Sequence, residues 1–433
     1  MFKYLKFTKK IKIYHQFILF LILIIAASLY FCFLYLEKFD HMIDANNNMV
    51  FFKIPFGNGP LIYNLLEGNG YTRKFFNGIS FSLEKLPFLP ILLFLIAKFL
   101  TTNFYLMIII KNLITFSMLY WAIIFYLKSF KLNIHYLYVY LLVFLIPYNI
   151  YIALTFEFAE NVMTILFPCL FLILVSNMSQ KYLISTIIIF ILYLSKTSMF
   201  FVSIIIPFVI IFFEKEEKFK KKKYLIFFGP ILAMVIWGTF SYLKTDRIAI
   251  GTNTLTINSM GLTIASDKRF FNYYPNQSLD ILLNNIDIPK SLKTEWEFFD
   301  YFKKKNNTYF LKKKNLKNYL ITLPKKIMII LFYVRKDSVY PDANGDVTNP
   351  VRYSLIPNKI FINLSILIAI YSILSSFKKK FSFKNDFIFI SLLGLSLLPL
   401  IAGWATSKHI IPITVLCFFY IIYKLQVFKR IIN

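Results

Sequence analysis

Residues 17–36 read FILFLILIIAASLYFCFLYL, and this stretch decides the fold class. Twenty residues without a charge, a Gly or a Pro are long enough, at about 1.5 Å each, to cross a hydrocarbon core of about 30 Å. The basic start MFKYLKFTKKIKIYHQ runs straight into them with no small-residue cleavage site, so this first span is expected to be retained. The same pattern recurs along a chain of 433 residues that is 58% hydrophobic, well outside the range of soluble domains. Apolar runs at 17–36, 103–127, 136–154, 160–176, 182–195, 199–213, 224–243, 357–376, 386–404 and 408–424 predict an all-α polytopic membrane protein with about ten transmembrane helices. The fifth and sixth runs are short and separated only by SKTS around Lys196, so one broken helix is the alternative there.

The formal net charge is +28, yet the lysines gather at the ends of apolar runs and no nucleic-acid motif is present. A nucleic-acid partner is therefore excluded, and the bilayer is the expected one. Basic residues in short loops set orientation: the N-terminal arm, Lys128 and Lys131, EKEEKFKKKK (214–223), FKKKFSFK (377–384) and the C-terminal KLQVFKR. Placing all of them in the cytoplasm closes ten spans with both termini inside, as in a bacterial inner membrane. Glu214, Glu216 and Glu217, lying within one of these lysine clusters, read as solvated.

Two long segments then fall on the far side, and they divide the chain. Residues 1–243 form an N-terminal transmembrane module with a first outer loop at 37–102; residues 244–356 form a second outer loop or small cap; residues 357–433 carry the last helices. In the second loop, NLKNYLITLPKKIMIILFYVRK has basic ends and a Pro within its apolar run, which predicts an interfacial amphipathic helix at about 318–334. In the first, GNGPLIYNLLEGNGYTRKFFNGISFSLEKLPFLP (57–90) is a polar, Gly-rich stretch between hydrophobic segments. Pro87 and Pro90 stiffen its exit, and the following ILLFLIAKFL is too short to span, so a re-entrant or interfacial helix is expected.

Ionisable residues near or inside the membrane are the candidates for chemistry, because a charge at mid-bilayer costs about 2.5–3.5 kcal/mol on insertion scales. Glu157 and Glu160 interrupt an apolar stretch at i, i+3 spacing, either as pocket-lining acids or as a solvated helix end. Asp40, Asp44, Glu67 and Glu84 lie in the first outer loop, where helix capping competes with a catalytic role. Lys111 sits about 12 Å into the second span, beyond easy snorkelling, and so calls for a partner or a water-filled pocket. Lys196, Lys408 and His409 occupy helix ends on the outer side, and basic groups converging at one leaflet suit a phosphate. The three cysteines and the scattered His15, His41 and His135 define neither a disulfide framework nor a metal site.

Several of these stretches resemble the polyprenyl-phosphate-sugar-dependent GT-C glycosyltransferases, the group that includes protein O-mannosyltransferases and lipid A aminoarabinose transferases. IYNLLEGNGYT is similar to that family's tyrosine, leucine and glycine pattern in the first outer loop, and LEKLPFLP to its basic-Pro turn. LVFLIPYNIYIALTFEFAEN resembles its third span, with Pro147 and Glu160 at the matching positions, while SKTSMFF, NYLITLPKKIMIILFYV and SKHIIPI match weaker marks. The resemblance implies inverting transfer of a sugar from a polyprenyl-phosphate donor to a lipid, glycan or protein acceptor, with a carboxylate as general base and lysines on the departing phosphate. It implies that Lys85 binds the phosphate with Lys408 and Lys111 assisting, that Glu160 helps shape the sugar pocket, and that Tyr63 and His409 belong to the substrate site. Some members of the group use a divalent cation; the chain offers no ligand cluster that calls for one.

One departure matters. The family's acid three or four residues before the tyrosine is replaced by Gly59 and Pro60 before Tyr63. Asp44, Asp40 or Glu84 is left to supply the base, or else the chain is an inactive relative. A transporter or flippase of lipid-linked sugars is the other class; it predicts acids and prolines buried at mid-membrane, whereas here the ionisable residues gather at the outer edge. An O-antigen ligase or polymerase calls for key Arg and His in the second outer loop, which here has no His.

Overall fold

The structure is a computed structural model of the whole chain, and it describes residues 2–34, 40–53, 58–75, 78–82, 86–156, 159–214, 221–248, 289, 291–332, 355–378, 384–402 and 407–432. The protein is mostly helical. Helix α1 (Phe2–Leu34) carries the first long apolar span. A loop with two short 3-10 turns leads to α2 (Asn58–Leu66), a two-stranded antiparallel hairpin of β1 (Thr72–Phe75) and β2 (Gly78–Phe81), and α3 (Phe88–Phe99). The chain turns from α2 into β1 through Gly68 and Gly70, at φ +79° and +77°, left-handed values that a side chain would resist. This is what the glycines of EGNG are for.

The bundle follows: α4 (Phe104–Ser129), α5 (Tyr136–Leu141), α6 (Pro147–Leu154), α7 (Glu160–Val175), α8 (Lys181–Ser195), α9 (Phe200–Phe213) and α10 (Phe228–Thr245). Beyond it come α11 (Glu295–Phe310), α12 (Lys313–Phe332), α13 (Ile356–Lys378), α14 (Lys384–Ala402) and α15 (Ser407–Ile432). Among the described residues six helices are long and apolar enough to cross a membrane, and a bent pair would make seven. The expected ten spans thus divide unevenly. The runs at 160–176, 182–195 and 199–213 are helices of 10–17 residues, and 136–154 is broken by 95° between α5, with its 3-10 extension to Leu145, and α6. Pro147 explains the break: it has no N–H to donate, and Ile146 before it is pushed to an extended conformation. The Asn149 side chain donates to the Val143 carbonyl at 3.1 Å, satisfying an acceptor that the break releases.

Beyond Glu160, Asn161 and Thr164 near its start, helix α7 is apolar all round, and every one of its residues is buried. It packs against α4, α8 and α15; α1 lies on α4, α13 on α15, and α14 on α9. Helices α8 and α10 come close at Gly229, where a β-carbon would lie 2.6 Å from the Thr186 carbonyl oxygen. The outer helices expose apolar side chains, among them Ile22 and Phe33 of α1 and Leu367 and Leu374 of α13, a surface suited to lipid. Helix α12, which contains most of the predicted interfacial segment, is not among the six long apolar helices.

Candidate functional site

Three helix ends meet at Glu160. This residue opens α7, where a carboxylate is favoured by the partial positive charge of a helix N-terminus, and it is 3% exposed. Its Oε1 accepts a hydrogen bond from Lys196 Nζ and lies 3.0 Å from His409 Nε2. Lys196 reaches it because the backbone turns extended there, at φ −156° and ψ 138°, ending α8 before the 3-10 turn that leads into α9. His409 stands in the first turn of α15. The polar SKTS break and the SKHIIPI start, separated by more than two hundred residues, therefore serve one cluster.

Lys111 supports that cluster from behind. It is fully buried, and its Nζ donates to the carbonyls of Leu154 at 2.9 Å and Thr155 at 2.7 Å. These carbonyls end α6, where unpaired acceptors and the helix dipole favour a cation. Asn161 donates to the same Thr155 carbonyl, so Lys111, the α6 terminus and the start of α7 form one hydrogen-bonded junction. Alongside, Asn112 donates to Ser28 Oγ at 2.9 Å and the Phe104 and Phe156 rings meet edge to face. The partner expected for a deep lysine is thus a helix C-terminus, one that leads into the start of α7.

The first loop joins this end of the bundle. Asp44 Oδ1 accepts the backbone N–H groups of Asn46 and Asn48 at 2.9 and 2.8 Å, and Oδ2 accepts from the Asn48 side chain. Those donors, the Asn48 N–H foremost, hold its carboxyl below the ordinary aspartate range. The turn is tied to the start of α4 through Phe104 N–H to Asn47 O and Met49 N–H to Thr102 O, both 2.9 Å. Asp40 is exposed in a 3-10 turn. Tyr63 is exposed on α2, its ring edge-on to Phe52. Glu84, Lys85 and Glu157 lie outside the described residues, as does the side chain of Lys408.

A buried ion pair between Arg73 of β1 and Glu295 of α11, at 2.7 Å, brings the two predicted outer segments together. Nothing in the spacing of 222 residues announced it. The hairpin also sits on α8 and α10 through a cluster of Tyr71, Phe81, Leu86, Tyr193 and Trp237, three residues from Lys196 along α8. An apolar cavity of roughly 530 Å³ opens between α4, α7 and α8, lined by Met118, Trp121, Leu166, Ile173, Ile187 and Ile191 among others. Its near edge, at Leu166 and Ile191, lies five or six residues from Glu160 and Lys196, about 8 Å along the helix axes.

The opposite end of the bundle carries a second set of buried charges. Glu214 Oε2 accepts from Lys181 at 2.9 Å, from Lys384 at 2.6 Å and from the Tyr182 hydroxyl. Asp386 accepts from Lys424 at 2.9 Å, from Tyr420 at 2.8 Å and from Ser372 at 2.6 Å. This corrects the solvated reading of Glu214, which is buried because its partners arrive from α8 and α14, remote in sequence. Burial opposes its ionisation, but the donors from Lys384, Tyr182 and Lys181 outweigh it and hold the carboxyl down at about 2. Among the described residues no group of three or more His, Cys, Asp or Glu side chains is arranged to hold a metal ion.

The fold and its lipid-facing helices define a helical membrane protein. No family model matches the chain, and neither does any curated protein or solved structure.

Proposed function

We propose that the protein is an integral-membrane glycosyltransferase that moves a sugar from a polyprenyl-phosphate donor to a lipid, glycan or protein acceptor, with inversion. The observation that carries the reading is the pairing of the Glu160, Lys196 and His409 cluster with an apolar cavity beginning about 8 Å along the same helices. A cationic group next to an apolar groove suits an amphiphile with an anionic head. Lys196 and His409 stabilise the departing phosphate, and Glu160 holds both at the mouth of the groove. The isoprenoid tail follows the cavity between α4, α7 and α8, whose lining is apolar. A carboxylate of the first loop, Asp44, Asp40 or Glu84, takes the acceptor proton. Among these, Asp44 lies in a turn held against the start of α4.

The test is transfer from a panel of radiolabelled polyprenyl-phosphate sugars by the full chain in lipid. Wild type is compared with Lys196→Gln, His409→Gln, Asp44→Asn, Glu84→Gln and Lys85→Ala. Label reaching an acceptor, with loss in the cation variants and in one carboxylate variant, supports the transferase and identifies its base. Donor binding without turnover assigns the chain to inactive relatives or to transport. Failure to bind any donor removes the proposal.

A further inference from the structure

Residues 301–336 read YFKKKNNTYFLKKKNLKNYLITLPKKIMIILFYVRK, eleven lysines and arginines with no acid among them. The second half of α11 and the whole of α12 fold from this stretch and pack together as a helical hairpin. Both of its roots are fixed. Glu295, at the start of α11, pairs with Arg73 at 2.7 Å, and near the end of α12 the carbonyls of Ile330 and Leu331 accept from Lys359 and Asn363 of α13. These residues of α13 stand at the Glu160 end of the bundle, since Ser372, toward the other end of the helix, bonds to Asp386.

Between the roots the surface is open. Lys303, Lys304, Lys312, Lys313, Lys314 and Lys317 are exposed, and among the described residues none of these six is held in an ion pair. Helix α12 also turns apolar side chains outward. At about 3.6 residues per turn, Leu316, Leu320, Ile321, Ile327 and Met328 share one side of it, and all five are exposed, whereas Lys326 and Ile330 on the other side are buried. This is the reverse of a helix facing water. From Leu316 to Met328 the apolar side runs about 18 Å, and it ends beside the α13 contact, where the next residues of α13, Ile360 and Leu364, are themselves exposed to lipid. A second copy of the chain would set these lysines against their like, and water would leave the apolar side unmet. A bilayer with anionic head groups meets both, because a basic amphipathic helix buries its apolar side at the acyl boundary while lysines draw acidic lipids.

We propose that the α11–α12 hairpin is a docking surface for anionic lipids in the leaflet at the Glu160 end of the bundle. Lys312, Lys313, Lys314 and Lys317 contact the lipid phosphates, and Leu320, Ile321 and Met328 enter the acyl boundary beneath them. The surface selects lipids by charge, which an interfacial helix of apolar residues alone does not do. It stands independently of the transferase reading.

The test uses the full chain with Leu320→Cys carrying a polarity-sensitive fluorophore; the three native cysteines are buried and stay unlabelled. The protein is placed in nanodiscs of dioleoylphosphatidylcholine, alone or mixed equally with dioleoylphosphatidylglycerol, and lipids spin-labelled near the head group are added as quencher. Quenching is expected to be at least about twofold stronger in the discs that contain phosphatidylglycerol, and to weaken at high salt. Changing Lys312, Lys313, Lys314 and Lys317 together to Gln removes the difference, and changing the same four to Arg keeps it. Matched melting temperatures separate either result from misfolding. Equal quenching in the two lipids overturns the proposal, and so does a Gln variant that still distinguishes them. A fluorophore that no lipid quenches, but whose emission changes when two copies share a disc, also overturns it and assigns the apolar side to self-association.

Discussion

The two ends of the helical bundle solve the same problem, a buried carboxylate, in different ways. At the far end Glu214 and Asp386 are each closed by lysines and hydroxyls from neighbouring helices. At the Glu160 end one of the two basic partners is a histidine, and an apolar cavity begins nearby. The first arrangement locks helices together. The second sets basic groups beside a space that can hold a chain, an arrangement that suits an anionic amphiphile.

The contrast breaks if the two ends respond alike to substitution. The largest expected effect is on transfer: His409→Gln keeps a donor for Glu160 but removes the imidazole, and it should lower turnover on the order of a hundredfold with a melting temperature within a few degrees of wild type. Initial rates and thermal unfolding of the same preparation check both halves. The mirror-image outcome belongs to Asp386→Asn, which leaves the buried Lys424 charge uncompensated and should cost on the order of 3 kcal/mol of stability while leaving the KM for donor unchanged.

A pH series sharpens the comparison further. The folded-state pKa of Glu214 is depressed from the ordinary 4.5 to about 2, so its contribution is fully present above about pH 4.5 and is lost as pH falls through about 2. Melting temperatures in detergent should therefore decline from pH 5 toward pH 2, and Glu214→Gln should flatten that decline. The smallest effect expected lies between the ends: Gly229→Ala forces α8 and α10 apart at the Thr186 carbonyl, costing about 1–3 kcal/mol without changing the donor KM. A neutral result there would mean that the two helices slide freely past each other.

The candidate site was only partly legible in the chain. Glu160 and His409 stand out individually, as an acid in an apolar run and as a basic start to the last helix, but their pairing spans 249 positions and has no local signature. Lys111 announces itself by depth alone; that its partner is the end of α6 follows from the break at Pro147, which puts that terminus within reach. Glu214 misleads because its sequence neighbours are lysines that suit solvent, while the groups that bury it come from α8 and α14. Arg73 and Glu295 carry no pattern at all.

The sequence by itself determined the helical membrane class, because hydrocarbon leaves the backbone no water to bond and uninterrupted apolar runs of span length have only one way to satisfy it. It also set some of the helix ends, since Pro147, the SKTS break and the glycines of EGNG act through their own backbone geometry, although Pro168, Pro207 and Pro399 sit inside helices that continue past them. Which charges share a partner was decided only by the tertiary structure. A buried ion pair depends on distances of about 3 Å between groups from different helices, and only the packing of α7 among α4, α8 and α15 sets those distances.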